Sequence, residues 1–394
     1  MRQKITVTLF LLLIGVFSFV VLVLPKDETA AVKENRTLAE LPEFSFDALF
    51  RGEFTRDFET YLSDNVGYRS FFTDISSYYE DSKGVKKYGK LVDAMGDLGV
   101  GTTTKSQLLV MEDRVMEVYQ RNPEVQKKYL EFLNFYADKM PENINMYCML
   151  IPTQIDFIPH LKGLGDSERE NIEYFYDFMD IRYQPIDIYD TLKAHQDEYI
   201  YFRTDHHWTT LGAYYAYNKL AEVMEVPQAD INNFQEGKQE NFLGHLYAQA
   251  KTPSLKQYAD TIYYYKNEQN DLPMTPVTYS YHPGERLEYD GKIFCPEEGP
   301  KYELFLAGDH PFIEINTHCK NNRTLLLLKD SYSNAMIPWL ACGFQQILVI
   351  DPRTFDQKVV DILAQYPVTD MLITNYIMGT NFIDYIELCK NIFE

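Results

Sequence analysis

The chain has 394 residues, of which 45% are apolar, and its formal net charge at pH 7 is −21. This length holds one large domain or two ordinary ones, and the apolar fraction excludes a wholly disordered chain. The negative charge argues against nucleic acid as a partner, because too few cations are present to neutralise phosphates. The 31 Tyr and 25 Phe residues allow stacking on sugar rings, although core filling is the commoner use of such side chains.

The N-terminal part of the sequence is strongly apolar. Residues 5–25 (ITVTLFLLLIGVFSFVVLVLP) carry no charge and follow two basic residues. About 20 apolar residues are needed to cross the hydrocarbon core of a membrane as a helix, and basic flanks stay in the cytoplasm. We therefore predict a signal anchor, a single transmembrane helix, over residues 1–25, with the rest of the chain outside the cytoplasm at the cell membrane. A cleaved signal peptide is the alternative, with Ala30 and Ala31 forming a weak cleavage site.

The next part of the chain, residues 26–95, is predicted to be a stalk followed by a helical segment. Residues 26–45 are polar and contain proline, which indicates an extended stalk. From Phe46 to about Lys87, aromatic and aliphatic residues recur at helical spacing.

Residues 96–394 are predicted to form one α/β domain. An amphipathic helix over 124–138 is followed by the apolar run INMYCMLIPT, residues 144–153, which is typical of a buried parallel strand. A second helix is predicted over 208–224. From about 225 to 320 the segments TIYYY, VTYSYH, ERLEYDGKIF and KYELFLA indicate strands, and we expect a β-rich insertion there.

The last part of the chain alternates strands and helices. RTLLLLK, QQILVI and DMLITNY read as strands, and the segments after the first two read as helices. This order predicts a parallel sheet with right-handed crossovers. In open α/β sheets, ligands bind at the carboxyl ends of the strands.

A serine lies at such a strand end. Ser331 follows the leucine-rich strand, where a helix start offers unpaired N–H groups to a developing oxyanion. Capping of the helix by Asp330 or Ser331 is the alternative role. A serine nucleophile needs a base that is oriented by a third group, and Asp205 and His207 supply such a pair within one short turn.

Two segments carry a resemblance to a known family. TDHHWT, residues 204–209, and KDSYSN, residues 329–334, resemble the DHHW protein family of bacterial surface proteins. That family resembles a branch of the SGNH-hydrolase-like group that contains the alginate O-acetylation proteins AlgX and AlgJ. The resemblance implies an α/β, SGNH-hydrolase-like three-layer fold, with Ser331 as nucleophile, His207 as general base and Asp205 as the orienting carboxylate. His206 occupies the variable position of the motif and is expected not to be catalytic.

The resemblance bears on Lys329 and Asn375, and position at a strand end suggests two further site residues. Lys329 stands two positions before the serine, where the SGNH signature prefers glycine. Asn375, at the end of the third strand, matches an oxyanion-donating asparagine by strand order. Arg353, at the end of the second strand, is a candidate for holding an anionic or carbonyl group, with a salt bridge as the alternative. Asp330 is a candidate for contacting substrate.

Together these features favour serine-dependent O-acetyl transfer to a cell-surface or secreted polysaccharide, without a cofactor. The resemblance implies a membrane-bound O-acyltransferase as the partner that presents the donor. A carbohydrate O-acetyl esterase is one alternative, since water then replaces the sugar hydroxyl. A non-catalytic glycan-binding partner is another. A metal site built from Asp205, His206, His207 and His245 is disfavoured, because adjacent histidines do not readily face one ion.

Overall fold

The computed structural model describes residues 39–65, 89–96, 104–250, 252–279, 286–296, 299 and 301–393, with isolated helical positions at 8, 10–12, 14–16 and 19. Among these residues, none of the helices has both the length and the apolar character that a membrane crossing requires. The spanning helix predicted over residues 5–25 lies largely outside the described residues and stays a prediction. The same holds for the predicted helical segment after residue 65.

The described part of the chain alternates helices and strands. The α-helices are α1 Phe46–Phe50, α2 Glu53–Asp64, α3 Pro123–Lys139, α4 Glu168–Phe178, α5 Tyr189–Ala194, α6 Thr210–Met224, α7 His245–Ala250, α8 Ile337–Leu340, α9 Val359–Gln365 and α10 Ile383–Asn391. The strands are β1 Lys90–Gly96, β2 Thr104–Val110, β3 Val115–Val118, β4 Asn145–Ile151, β5 Tyr183–Pro185, β6 Gln235–Phe242, β7 Asp260–Lys266, β8 Pro273–Tyr279, β9 Arg286–Glu288, β10 Gly291–Lys292, β11 Phe312–Asn316, β12 Thr324–Lys329, β13 Gln346–Ile350 and β14 Asp370–Tyr376.

A mixed sheet of nine strands forms the centre of the fold. Its order is β10-β8-β11-β13-β12-β14-β4-β5, with β9 paired to β8. The strands from β13 to β5 run parallel to their neighbours, whereas β11, β8, β9 and β10 extend the sheet in antiparallel pairing. The predicted mixed α/β fold with a parallel sheet is therefore confirmed. Strands β1 to β3 form a small antiparallel sheet of their own, and β6 pairs with β7.

The leucine-rich strand β12 lies in the middle of the sheet, and both of its faces are covered. Every residue of β12 and of its neighbour β14 is buried. A strand covered on both faces gains from apolar side chains at all positions, which is why its sequence shows a continuous run instead of alternation. The central position of β12 places its carboxyl end, and the residues that follow it, at the middle of one sheet edge.

Two local predictions need correction. The segment KYELFLA does not form a strand: it makes a single 3-10 turn, Tyr302–Leu304, and the following Leu306 and Ala307 have φ of 63° and 55°. Left-handed backbone at two consecutive residues cannot continue a strand. The helix expected after the leucine-rich strand begins as a 3-10 turn, Ser331–Ala335, before the short α8. Other parts of the expected β-rich insertion do form strands, and β8 and β11 join the central sheet; the domain boundaries stay a prediction.

Candidate active site

The turn after β12 is held by Asp330. Its Oδ1 accepts the backbone N–H of Tyr332 at 3.0 Å, and its Oδ2 accepts the backbone N–H of Tyr376 at 2.9 Å and Nδ2 of Asn375 at 3.1 Å. The carboxylate thus caps the 3-10 turn and ties the end of β12 to the end of β14. Ser331, the first residue of the turn, is fixed at the carboxyl edge of the sheet, and its side chain remains partly exposed.

A second loop approaches this edge from residues 201–208. Its two ends pair through an antiparallel bridge between Tyr201 and Trp208, and the N–H of Phe202 donates to the carbonyl of His207 at 3.3 Å. Within the loop, Oδ1 of Asp205 accepts the backbone N–H of His207 at 2.9 Å. An aspartate that accepts the N–H two residues later is a common turn former. The D-x-H spacing therefore stabilises the turn of the loop and also places the Asp205 carboxylate beside the His207 ring.

The base of the loop is anchored by Asp260, the first residue of β7. This buried carboxylate accepts the N–H groups of Arg203 and Thr204, the Thr204 hydroxyl at 2.6 Å and the Tyr199 hydroxyl at 2.6 Å. Charge-assisted hydrogen bonds of this kind are among the strongest that a buried group makes. Asp260 therefore fixes the position from which Asp205 and His207 project.

The two loops meet in a continuous hydrogen-bond chain. Nδ1 of His207 lies 2.6 Å from Oδ1 of Asp205, and Nε2 of His207 lies 2.9 Å from Oγ of Ser331. Asp205 and His207 are each only 6% exposed, so water competes little for these bonds. This is the geometry that a serine nucleophile, its general base and an orienting carboxylate require. The structure thus brings Ser331 together with Asp205 and His207, from which it is separated by more than a hundred positions in the sequence.

The charge of Asp205 is stabilised within the loop. Burial alone would raise the pKa of Asp205, but the charges that His207 and His206 carry when protonated, and the hydrogen bonds from His207, hold its pKa far below the usual range. Its second oxygen accepts the N–H of His245 at 2.9 Å. Burial and the neighbouring His207 lower the pKa of His206, which keeps its ring neutral near pH 7.

A glycine makes room for this carboxylate. A Cβ at Gly244 would lie 2.3 Å from Cβ of Asp205 and 2.4 Å from its Oδ2. A side chain at position 244 would therefore displace Asp205 from His207. The sequence contains 19 glycines, and nothing local marks this one as part of the site.

Aromatic residues lock the two loops together. The Tyr332 hydroxyl donates to the carbonyl of His206, and Nε1 of Trp208 donates to the carbonyl of Tyr332 at 2.8 Å. The ring of Tyr302 stacks on the His207 imidazole with ring centroids 3.8 Å apart and planes 10° apart. Its hydroxyl donates to the carbonyl of Ser331 at 3.1 Å. Tyr302 thus contacts both His207 and the turn of Ser331, and sequence reasoning missed this contact.

The expected roles of Asn375 and Asp330 are corrected. Both N–H bonds of the Asn375 amide are used, one to Asp330 and one to the Tyr385 hydroxyl at 2.6 Å, while its oxygen accepts the Tyr129 hydroxyl at 2.8 Å. Asn375 is also only 1% exposed, so it has no donor to offer an oxyanion. Asp330, equally buried, has both oxygens occupied, and burial raises its pKa. These two residues tie together the ends of β12 and β14 at the sheet edge.

Lys329 and Arg353 belong to a buried ion cluster beside the nucleophile turn. Nζ of Lys329 lies 2.7 Å from Asp309 and 2.9 Å from Asp351, and the Arg353 guanidinium pairs with the same two carboxylates. Burial alone would lower the pKa of Lys329, but the two acidic neighbours outweigh it and raise the pKa. Arg353 was a candidate either for holding a substrate group or for forming a salt bridge; the structure engages it in ion pairs, and its side chain is 10% exposed.

Asp205, His206 and His207 also offer potential metal-ligand atoms within 4.8 Å of one another. However, both ring nitrogens of His207 are engaged, one with Asp205 and one with Ser331. His245, the fourth residue weighed from sequence, pairs its Nε2 with Gln249 at 2.6 Å. A metal ion here would have to break the hydrogen-bond chain, so the donor set fits a proton-transfer triad better than a metal site.

Several solved structures are similar to this chain. Among solved structures, a DHHW family protein from Eubacterium siraeum DSM 15702 is 27% identical, with a TM-score of 0.64 over 77% of this chain and 98% of that one. Bacillus cereus PatB1, solved with a sulfonyl adduct, is 17% identical, with a TM-score of 0.58 over 73% of this chain and 99% of its own, and so shares the fold. The O-acetyltransferase domain of Pseudomonas putida AlgJ overlaps more loosely, with a TM-score of 0.41, 12% identity and coverage of 77% and 99%.

No curated protein matches the sequence. The family model described as DHHW protein matches residues 92–350, which include Asp205, His207 and Ser331. That span is well over half of the chain. The protein therefore belongs to the DHHW protein family.

Proposed function

We propose that this protein is a serine-dependent acyltransferase that moves an acetyl group onto a hydroxyl of a polysaccharide. The observation that supports this most directly is the unbroken chain from Asp205 through His207 to the Ser331 hydroxyl. A serine that only caps a turn does not need an imidazole at 2.9 Å, nor an imidazole braced by a buried carboxylate. The three-layer, SGNH-hydrolase-like arrangement expected from sequence is part of this proposal.

The first half of the reaction transfers the acyl group to the enzyme. Oγ of Ser331 attacks the carbonyl carbon of an acetyl ester, and Nε2 of His207 takes the hydroxyl proton. The tetrahedral intermediate then collapses, the bond to the donor's alcohol oxygen breaks, and His207 returns its proton to that leaving oxygen. Asp205 stays ionised and stabilises the imidazolium. The product is an acetyl ester on Ser331.

The second half releases the acyl group to the acceptor. A sugar hydroxyl attacks the acetyl-Ser331 carbonyl while His207 removes its proton, and the proton returns to Oγ of Ser331 as the new ester leaves. With water in place of the sugar, the same steps give an O-acetyl esterase, the alternative retained from sequence. The backbone N–H of Ser331 supplies an oxyanion contact, because the first residue of a helical turn lacks an internal acceptor.

The cellular setting completes the proposal. Residues 5–25 serve as a single membrane anchor, and the catalytic domain lies outside the cytoplasm. A membrane-bound O-acyltransferase supplies the acetyl donor, and a cell-surface or secreted polysaccharide is the acceptor. The sulfonyl adduct held by PatB1, a protein of the same fold, supports the use of a sulfonyl fluoride as a probe.

The test is covalent labelling of Ser331 in the full chain. We expect phenylmethylsulfonyl fluoride, and an activated ester such as 4-nitrophenyl acetate, to modify one peptide, the peptide that contains Ser331. Mass spectrometry should show the label lost in Ser331→Ala and kept in Ser333→Ala, a control two residues along the same turn. Folded protein that carries no label at Ser331 would contradict the proposal and favour a non-catalytic, glycan-binding role.

A further inference from the structure

Residues 302–309 contact both the proposed general base and the turn of the nucleophile. At one end of this segment, Tyr302 stacks on the ring of His207, and its hydroxyl donates to the carbonyl of Ser331. At the other end, Asp309 contacts the end of β12 and the 3-10 turn that follows it. One short segment outside the central sheet therefore reaches both sides of the hydrogen bond between base and nucleophile.

Asp309 joins two residues that flank Ser331 in the sequence. Its Oδ1 accepts Nζ of Lys329, two residues before Ser331, at 2.7 Å and Nδ2 of Asn334, three residues after it, at 2.9 Å. Asn334 is only 2% exposed, and its amide oxygen accepts no hydrogen bond from any described residue. Within the described chain, Asp309 is therefore the group that orients this amide, and one carboxylate oxygen ties the turn to the end of its own strand.

The second oxygen of Asp309 is held as well. It pairs with Arg353 at 2.7 Å, and both Lys329 and Arg353 also pair with Asp351. The side chains of Lys329 and Asp351 are 0% exposed, so water competes little for these bonds. Burial alone would raise the pKa of Asp309, but Lys329 and Arg353 outweigh burial and hold its pKa far below the usual range. Asp309 is therefore ionised at neutral pH.

The other side-chain contacts of the turn lie on the side of β14. Asp330 accepts the N–H of Tyr376, and Oγ of Ser333 lies 2.5 Å from Oγ1 of Thr374. The ion cluster lies on the opposite side of β12, because its members in residues 351–353 follow β13. The turn is thus held from both neighbouring strands, and the bond to Asp309 is its side-chain connection to the β13 side.

The backbone between Tyr302 and Asp309 is costly to form. Leu306, Ala307 and Gly308 have φ of 63°, 55° and 105°, so three consecutive residues are left-handed and two of them are not glycine. Such backbone persists where surrounding contacts fix it, and it is enriched at active sites. The stacking of Tyr302 and the ion pairs of Asp309 supply contacts at the two ends.

We propose that Asp309 is a positioning residue, which holds the turn of Ser331 so that its Oγ stays within reach of His207. The inference rests on the proposed function, because it concerns the geometry of the acyl-transfer step. Asp309 takes no proton itself and acts through Lys329 and Asn334. Its loss should therefore slow the chemical step and leave the binding of a small ester almost unchanged.

Steady-state kinetics of the full chain with 4-nitrophenyl acetate test this role. Asp309→Asn keeps the size of the side chain but loses its charge. We expect kcat to fall at least about tenfold, because a misplacement of 1 Å at a reacting atom can cost on the order of 10²-fold. KM should change by less than about twofold, since ground-state binding is not altered.

Two further variants serve as rescue and control. Asp309→Glu restores the carboxylate at a side chain that is 32% exposed, so a longer chain has room. It should recover kcat to within about threefold of the native value. Glu303→Gln removes an exposed carboxylate from the same segment and should leave kcat unchanged.

The rate at which phenylmethylsulfonyl fluoride labels Ser331 separates the failure of the two proposals. No label in the folded native chain would overturn the proposed function, and the role of Asp309 with it. Equal labelling rates and equal kcat in native and Asp309→Asn chains would overturn the role of Asp309 alone. A rise in KM at unchanged kcat, or an Asp309→Glu chain as slow as Asp309→Asn, would also overturn it.

Thermal melting establishes whether each variant is folded. If Asp309→Asn does not fold, Asn334→Leu carries the test, because it removes the bond to the turn and leaves the ion pairs of Asp309 in place. Labelling of Ser331 should then slow by about tenfold. A native labelling rate in folded Asn334→Leu would overturn the proposal.

Discussion

The loop of Asp205 and the strand of Glu117 each place a carboxylate on the wall of one small cavity, and the two carboxylates have opposite environments. Asp205 accepts hydrogen bonds from His207 and from the N–H of His245, and its pKa is held low. One buried oxygen of Glu117 accepts no hydrogen bond from the described residues, and burial raises the pKa of this carboxyl to about 7. Each oxygen of Asp205 therefore accepts at least one hydrogen bond, whereas Oε2 of Glu117 accepts none from the described residues.

The difference separates a carboxylate that the chain itself satisfies from one that the described residues leave incomplete. A catalytic group must be oriented before the substrate arrives, so its partners are built into the chain. A buried acceptor that no described residue satisfies lowers stability. We interpret Asp205 as a preorganised part of the triad, and Glu117 as a residue that lowers stability at this position.

The largest effect is expected from Asp205→Asn. An asparagine at this position would present its amide N–H or a weaker acceptor to Nδ1 of His207 and favour the wrong imidazole tautomer. We expect kcat for 4-nitrophenyl acetate to fall by about 10⁴-fold. The exposed Asp197→Asn serves as the control and should retain native kcat. A loss of less than tenfold in folded Asp205→Asn would mean that the carboxylate does not orient the base.

A smaller effect is expected from Tyr302. Tyr302→Phe keeps the ring stacked on His207 but loses the hydroxyl bond to the Ser331 carbonyl, whose net value is about 0.5–1.5 kcal/mol. We expect kcat to fall by up to about tenfold. Tyr302→Leu also loses the stacking contact and should reduce kcat further, by on the order of 10²-fold, with KM for the ester little changed.

The control for Tyr302 is Tyr289→Leu, at a tyrosine that is 51% exposed. It should leave kcat unchanged. Equal loss in Tyr302→Phe and Tyr302→Leu would show that only the hydroxyl matters. Equal native activity in both would remove Tyr302 from the positioning of the triad.

Sequence reasoning succeeded where the signal is local. The run of leucines predicts β12 because the strand is covered on both faces, and the D-x-H spacing predicts a turn because Asp205 bonds the N–H two residues later. Asn375 was misassigned because strand order places its Cα at the right edge but does not reveal its partners. Those partners, Tyr129 and Tyr385, come from other elements.

The environments of two residues, Tyr302 and Glu117, could not be recognised from the sequence. Tyr302 is one of 31 tyrosines, and its stacking on His207 depends on a turn that the sequence pattern presents as a strand. Glu117 interrupts a short apolar strand, which is the ordinary pattern of a half-exposed position. Only the structure shows that one of its oxygens is buried and receives no hydrogen bond from the part of the chain that is described.

The smallest expected effect is on stability, and it tests whether the pKa of Glu117 is raised in the folded chain. Below pH 4.5 the carboxyl is protonated in both the folded and the unfolded chain. Between pH 4.5 and about 7 the folded chain holds a proton that the unfolded chain has released, so rising pH favours unfolding in this window. Above pH 7 the carboxyl is ionised in both the folded and the unfolded chain, so the loss of stability that it causes no longer changes with pH. Glu168, whose pKa burial raises to about 8, adds a similar trend to every variant.

Glu117→Gln removes the titration and keeps the shape of the side chain, so the difference between variant and native chains isolates Glu117 from Glu168. We expect this difference in Tm to grow from pH 4.5 to 7 in favour of the variant and then to level off. A rise in pKa from 4.5 to about 7 corresponds to about 3 kcal/mol at full strength. Because Glu117 is partly exposed, solvent screens this effect, and we expect about 1 kcal/mol. Such a free-energy difference shifts Tm by on the order of 2–4 °C in a domain of 150–250 residues. Differential scanning calorimetry at half-unit pH steps, with Glu112→Gln as the exposed control, measures it. A difference that does not depend on pH would show that Glu117 ionises freely and does not lower stability at this position.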